Sequence, residues 1–314
     1  MGKFINPFTD VGFKRIFGQE INKDLLIDFL NALLEGERSV KDIRFLDKEL
    51  LPEFTKDRGL IYDIYCTDEK GGEFIVEMQN KEHVNFRERT LYYLSQAIAR
   101  QGERGADWKF GLKAVYGVFF LNFRLTDLPS KLRTDIVLAD RDTHELFTDK
   151  MRYIFLELPS FGKEESECET DFERWIYVLK NMETLQRLPF KARNAVFKKL
   201  EEIVDIASMS KEERMKYDES IKVYRDQLAV MEFERNKGLA EGRAEGLAKG
   251  KAEGRAEGLA EGRAEGLAKG KAEGRAEGLA EGKENVACNL KRMGMDVETI
   301  AKVTGLDPEI IKRL

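Results

Sequence analysis

Apolar positions recur at helical spacing through Phe13 and Phe17, and again from Lys23 to Leu34. Pro is tolerated in a first turn, so the first helix is expected to open near Asn6 and Pro7 and to carry Asp10 and Lys14. The period then shortens. Ile43 to Leu50, Leu60 to Cys66 and Glu73 to Asn80 read as three strands, and Asn85 to Gln101 returns to a helix with Leu91, Leu94 and Ile98 on one side. Ala114 to Phe123 is almost continuously apolar, as expected of a central strand covered on both faces. Thr134 to Leu138 and Arg152 to Leu158 add strands, and Cys168 to Met182 adds a helix bearing Trp175, Tyr177 and Leu179. Ser210 with Glu213 makes a capping box for a helix carrying Met215, Tyr217, Ile221, Tyr224, Leu228 and Met231. This order of elements predicts an α/β sandwich with helical additions.

The patterning changes abruptly at Gly238. From there to Gly282 a Gly-x-Ala-Glu/Lys tetrad repeats, and the 20-residue unit Gly238 to Glu257 recurs unchanged as Gly258 to Glu277. Ala, Leu, Glu, Lys and Arg favour helix, whereas each Gly costs about 1 kcal/mol relative to Ala. The tract is therefore a marginal helix in isolation, and a charged helical spacer, a self-association stalk and a flexible linker all remain open. Glycines four apart advance about 40° per tetrad on a 3.6-residue helix, so they form no straight stripe. Charges in nearly every tetrad exclude membrane insertion despite the Gly-x-x-x-Gly spacing. Beyond the tract, Ile300, Ala301, Gly305, Leu306, Ile311 and Leu314 have the spacing of a helix-turn-helix or a small self-packed hairpin. The expected organisation is residues 1–237 as the folded domain, 238–284 as the repeat tract and 285–314 as a C-terminal helical hairpin.

Candidate chemistry sits in the hairpin. If the Asp68-Glu69-Lys70-Gly71-Gly72 loop is centred on Lys70, Asp63 faces Glu77 across the strands, with Cβ atoms about 4.5 to 5.5 Å apart. Gln79 shares the face of Glu77, while Val76 and Met78 point into the core. Two facing carboxylates repel unless a cation sits between them. On the solvent face of a hairpin such acids are also ordinary.

Asp63, a β-turn, and Glu77-Met78-Gln79 on the next strand resemble the signature of PD-(D/E)XK nucleases. Phe8-Thr9-Asp10-Val11-Gly12-Phe13-Lys14-Arg15-Ile16-Phe17-Gly18 resembles the opening of one subgroup, the Rpn family of recombination-promoting nucleases and transposases. Tyr92-Tyr93-Leu94-Ser95-Gln96, Leu158-Pro159 and the aromatic helix around Trp175 extend the likeness to roughly residue 235. Gln79 stands where the wider superfamily has lysine, as is common in this subgroup. The resemblance implies a restriction-endonuclease-like α/β sandwich and a DNA endonuclease linked to recombination or mobile elements. It also implies Mg²⁺, with Mn²⁺ as an alternative, held by Asp63, Glu77 and the Met78 carbonyl. Asp63, Glu77 and Gln79 would be catalytic, assisted by Asp10 and Lys14. Gln79 cannot supply a lysine's positive charge, which leaves Lys14, Lys56 or Lys81 for that part. Arg87, Arg89, Tyr92 and Gln96, with Arg100 and Arg104 nearby, would meet phosphates; a mixed-charge solvated helix explains them equally well. Two rival readings stay open: a catalytically idle nuclease-fold assembly protein oligomerised through the tract, and a toxin-like defence nuclease.

Composition narrows these choices. An apolar content of 42% supports a sizeable core, while a net charge of −5 gives no global basic signature, so nucleic-acid contact must rest on local patches. Three scattered cysteines and two histidines argue against a disulfide framework or structural zinc. With no apolar leader and no membrane-length run, a cytoplasmic homo-oligomer away from membranes is expected.

Overall fold

The computed structural model describes residues 2–47, 49, 50, 60–102, 109, 111–125, 129–190 and 195–314. It divides into two compact units, Met1–Ala229 and Val230–Leu314.

The first unit opens with α1 (Asp10–Phe17) and α2 (Lys23–Leu33). Thr9, rather than the Asn6–Pro7 pair, caps α1: its hydroxyl accepts from the Gly12 amide at 3.0 Å. Strands β1 (Ile43–Phe45), β2 (Glu49–Leu50), β3 (Leu60–Ile61), β4 (Ile64–Asp68) and β5 (Glu73–Gln79) follow, then α3 (Phe86–Ala99). Strands β6 (Val115–Leu121), β7 (Arg133–Ala139) and β8 (Leu146–Glu157) complete the sheet before α4 (Asp171–Asn181), α5 (Ala195–Val204) and α6 (Lys211–Arg292). Two expected strands are thus divided. Ile43 to Leu50 becomes β1 and β2, which join different sheets, and Leu60 to Cys66 is broken at Tyr62 and Asp63.

The main sheet has the order β1-β4-β5-β6-β8-β7, antiparallel at its margins and parallel where β6 pairs with β5 and β8. Strand β6 is buried along its whole length, as its unbroken apolar run requires. Alternation sends Val76, Val118, Phe120, Ile154 and Leu156 to a core shared with α1, α2, α4, α5 and the first turns of α6. Phe120 lies there against Phe13, Phe17 and Phe29, with ring centroids 5.0 to 6.1 Å apart. The opposite face carries Ile75, Phe119, Leu121 and Phe155 against Phe86, Tyr93, Leu94 and Ala97 of α3. Gly117 permits that approach, since a Cβ there would meet Leu94 Cδ1 at 2.7 Å. Leu91, expected on the buried side of α3, is 53% exposed, and the buried stripe runs through Phe86, Thr90, Tyr93, Leu94 and Ala97.

In the second unit α6 continues through the Gly tetrads to Arg292, and α7 (Val297–Thr304) and α8 (Pro308–Arg313) follow. The tract's leucines are exposed, and a Cβ on any of its glycines would meet nothing within 4 Å. The closing helices build a small core from Ala287, Ile300 and Ile311. Gly305 makes the turn in the left-handed region (φ 68°), and Lys291 Nζ caps α8 through the Ile311 and Lys312 carbonyls.

Phe120→Ala should lower unfolding free energy by about 3 to 5 kcal/mol, whereas Leu247→Ala in the tract should change it by less than about 0.5 kcal/mol, both read by denaturant titration of Trp175 fluorescence. Equal effects would mean that the first unit's stability does not reside in the aromatic core.

Candidate active site

The β4–β5 hairpin has the register that centres its turn on Lys70. Its last ladder pair is Ile64 with Val76, and one step further Asp63 stands across from Glu77. There side chains replace backbone pairing. The Asp63 amide donates to Glu77 Oε1 at 3.0 Å, and the Met78 amide donates to Asp63 Oδ2 at 2.9 Å. Each acid therefore grips the backbone of the opposite strand. Antiparallel alternation turns the backbone groups of Met78 toward β4, so its carbonyl faces the edge where the ladder has stopped. Met78 itself is partly buried against the first core, beside Val76.

Glu77 is 1% exposed. Its Oε2 accepts from Gln79 Nε2 at 3.2 Å and lies 3.8 Å from Arg89 Nη2. Burial, and then the charge of Asp63, push the Glu77 carboxyl up to about 8, against the pull of the Asp63 amide, Arg89 and Gln79. Burial likewise raises Asp63, opposed by the Met78 amide and by Lys14, while Asp10 adds to the rise. Helix α1 thus reaches the pair by its field, with Asp10 and Lys14 joined to each other at 2.5 Å. Asn80 locks this arrangement, its side-chain amide donating to the Phe8 carbonyl at 2.8 Å just ahead of α1.

Helix α3 supplies the far wall. Arg89, Tyr92, Tyr93 and Gln96 fall on one stripe at i, i+3, i+4 and i+7. Arg89 points to Glu77 and also donates from Nε to the Tyr93 hydroxyl at 2.8 Å. Tyr92 is 40% exposed and Gln96 half-buried beside it, whereas Arg87 lies on another side of the helix, lining an apolar cleft with Phe86, Leu91 and Phe155. Lys81 and His83 are exposed on the turn before α3, and Lys56 and Arg104 fall outside the described residues. Sequence reading missed the Arg89–Glu77 contact. No spacing along the chain signals it, because the two residues meet only when α3 packs over the hairpin.

Among the described residues no group of three His, Cys, Asp or Glu side chains is placed to hold a metal. The donors that could do so are Asp63, Glu77 and the Met78 carbonyl. They suit a hard ion such as Mg²⁺, which is usually held by one or two carboxylates and completed by water and phosphate oxygens. Buried and facing each other, the two acids oppose each other's ionisation, and a bound cation would relieve that opposition.

Against known proteins, a family model described as PD-(D/E)XK nuclease family transposase matches residues 7–234 and brings with it a nuclease- or transposase-like function. No curated protein and no solved structure matches the chain.

Because Glu77 binds its proton more tightly folded than unfolded, its contribution to stability is greatest below about 4.5 and is lost as pH rises toward about 8. Urea midpoints measured across that window should fall with pH in the wild type and fall less in Glu77→Gln. Identical slopes would show that Glu77 titrates normally.

Proposed function

We propose, since the chain belongs to the PD-(D/E)XK nuclease family transposases, that residues 1–237 are a Mg²⁺-dependent DNA endonuclease acting in recombination or the movement of mobile elements. Asp63, Glu77 and Gln79 form the catalytic group, with Asp10 and Lys14 at its margin. The observation that carries this reading is the exchange of hydrogen bonds between Asp63 and Glu77 across the end of the hairpin. It holds two carboxylates together although burial and mutual repulsion oppose their ionisation.

Asp63, Glu77 and the Met78 carbonyl would hold Mg²⁺, or Mn²⁺ in its place, and the bound ion supplies a more acidic water and neutralisation of phosphate charge. Gln79 orients the attacking water through its amide. The oxygen of that water bonds to phosphorus as it gives up a proton to solvent, the ester P–O bond breaks, and the leaving oxygen takes up a proton from solvent, giving a phosphomonoester and an alcohol. Lys14, beside Asp10, biases Asp63 toward its ionised form. Tyr92 and Gln96, on the same stripe of α3 as Arg89, and Arg87 further round, meet the flanking phosphates of the duplex. The free thiols of Cys66, Cys168 and Cys288 suit a reducing compartment such as the cytoplasm, and no helix among the described residues is long and apolar enough to cross a membrane.

Residues 238–284 act as a homo-oligomerisation stalk and 285–314 as its terminal hairpin. Exposed Leu239, Leu247, Leu259, Leu267 and Leu279, on a helix weakened by its glycines, support this role.

Purified protein should nick supercoiled plasmid in Mg²⁺ and gain thermal stability from the ion by mass action, and Asp63→Ala should lose both effects. Equal nicking by the two proteins would exclude Asp63 from catalysis. Removal of residues 238–282 should reduce the mass in solution to that of a monomer; an unchanged oligomer would place association elsewhere.

A further inference from the structure

Phosphodiester cleavage places extra negative charge on the phosphate, and a fixed cation beside it lowers the barrier. Gln79 carries none. Lys14 is engaged with Asp10 at 2.5 Å, and Lys81 stands on an exposed turn. Arg89 has the required placement. Its Nη2 lies 3.8 Å from Glu77 Oε2, an ion pair too long to be a hydrogen bond, and its side chain stays 43% exposed. Tyr93 fixes the guanidinium, accepting from Nε at 2.8 Å with its ring 5.1 Å away. The Tyr93 carbonyl in turn accepts from the Tyr62 hydroxyl at 3.1 Å, and Tyr62 immediately precedes Asp63. A continuous chain, Arg89–Tyr93–Tyr62–Asp63, therefore ties the guanidinium beside Glu77 to the segment that carries Asp63. One of its five donors is spent on Tyr93, which leaves others for a phosphate.

We propose that Arg89 is a catalytic residue that delivers from α3 the positive charge Gln79 cannot supply, by contacting a non-bridging oxygen of the phosphate being cleaved. The proposal rests on the nuclease reading. Arg89 acts by its charge alone, stabilising the phosphate while water replaces the leaving ester oxygen. A guanidinium that served only to neutralise Glu77 would act on ion affinity and folding instead.

The test is single-turnover cleavage of duplex DNA in saturating Mg²⁺ by wild type, Arg89→Ala and the double variant Arg89→Ala with Gln79→Lys. DNA affinity and the Mg²⁺-induced thermal shift are measured in parallel. Arg89→Ala should cleave about 10² to 10³-fold more slowly, with DNA affinity and the Mg²⁺ shift within about threefold of wild type. Restoring a cation on the strand by Gln79→Lys should recover at least about tenfold of that loss. Arg89→Ala cleaving within about threefold of wild type would overturn the proposal while leaving the nuclease intact. So would a loss that follows weakened Mg²⁺ binding, or a folded double variant no faster than Arg89→Ala. A wild type that does not cleave would remove the nuclease reading and this proposal together, a result distinct from the others.

Discussion

The arrangement of the site depends on one exchange of hydrogen bonds. Where the β4–β5 ladder would continue, Asp63 and Glu77 each accept from the opposite strand's backbone amide, at 2.9 and 3.0 Å. Amides that would otherwise be orphaned at the strand break are satisfied by the carboxyl oxygens of the facing acid. The same bonds prevent the two acids from separating. Desolvation of both carboxyls, and for Glu77 the charge of Asp63, then oppose their ionisation. Functional sites are where such local costs are retained, because the rest of the fold compensates for them.

That compensation is aromatic. On one side of the sheet Phe13, Phe17, Phe29, Phe120 and Trp175 form a connected set of ring contacts that anchors α1 and α2. On the other, Phe86 meets Phe119 and Phe155 and seats the first turn of α3. The two cores thus determine where Asp10, Lys14 and Arg89 arrive relative to the hairpin. Asn80 joins the systems, bonded to the backbone at Phe8 from the end of β5. Positioning in this molecule is done by packing, and the polar contacts trim it.

Helix α3 illustrates how one element serves both needs. Phe86, Tyr93, Leu94 and Ala97 face the sheet, Arg89 reaches Glu77, and Leu91 and Tyr92 stay exposed. A helix with three such sectors has no simple amphipathic pattern, which is why reading Leu91, Leu94 and Ile98 as its buried side put Leu91 on the wrong face. The 100° step of the helix assigns the sectors once a single anchor, Leu94 against Gly117, is known.

Local chemistry alone carried a large part of this structure. The Gly-bearing loop set the hairpin register and so the opposition of Asp63 and Glu77, the apolar run of Ala114 to Phe123 announced a doubly covered strand, and Ser210 with Glu213 marked the start of α6. Each of these is encoded within a few neighbouring residues, where turn geometry, side-chain alternation and capping act. The break in the strand at Tyr62 and Asp63, the division of Ile43 to Leu50 between two sheets, and the meeting of Arg89 with Glu77 were decided by tertiary structure. They depend on which distant segments compete for a backbone amide or a buried charge, and spacing along the chain carries no measure of that competition.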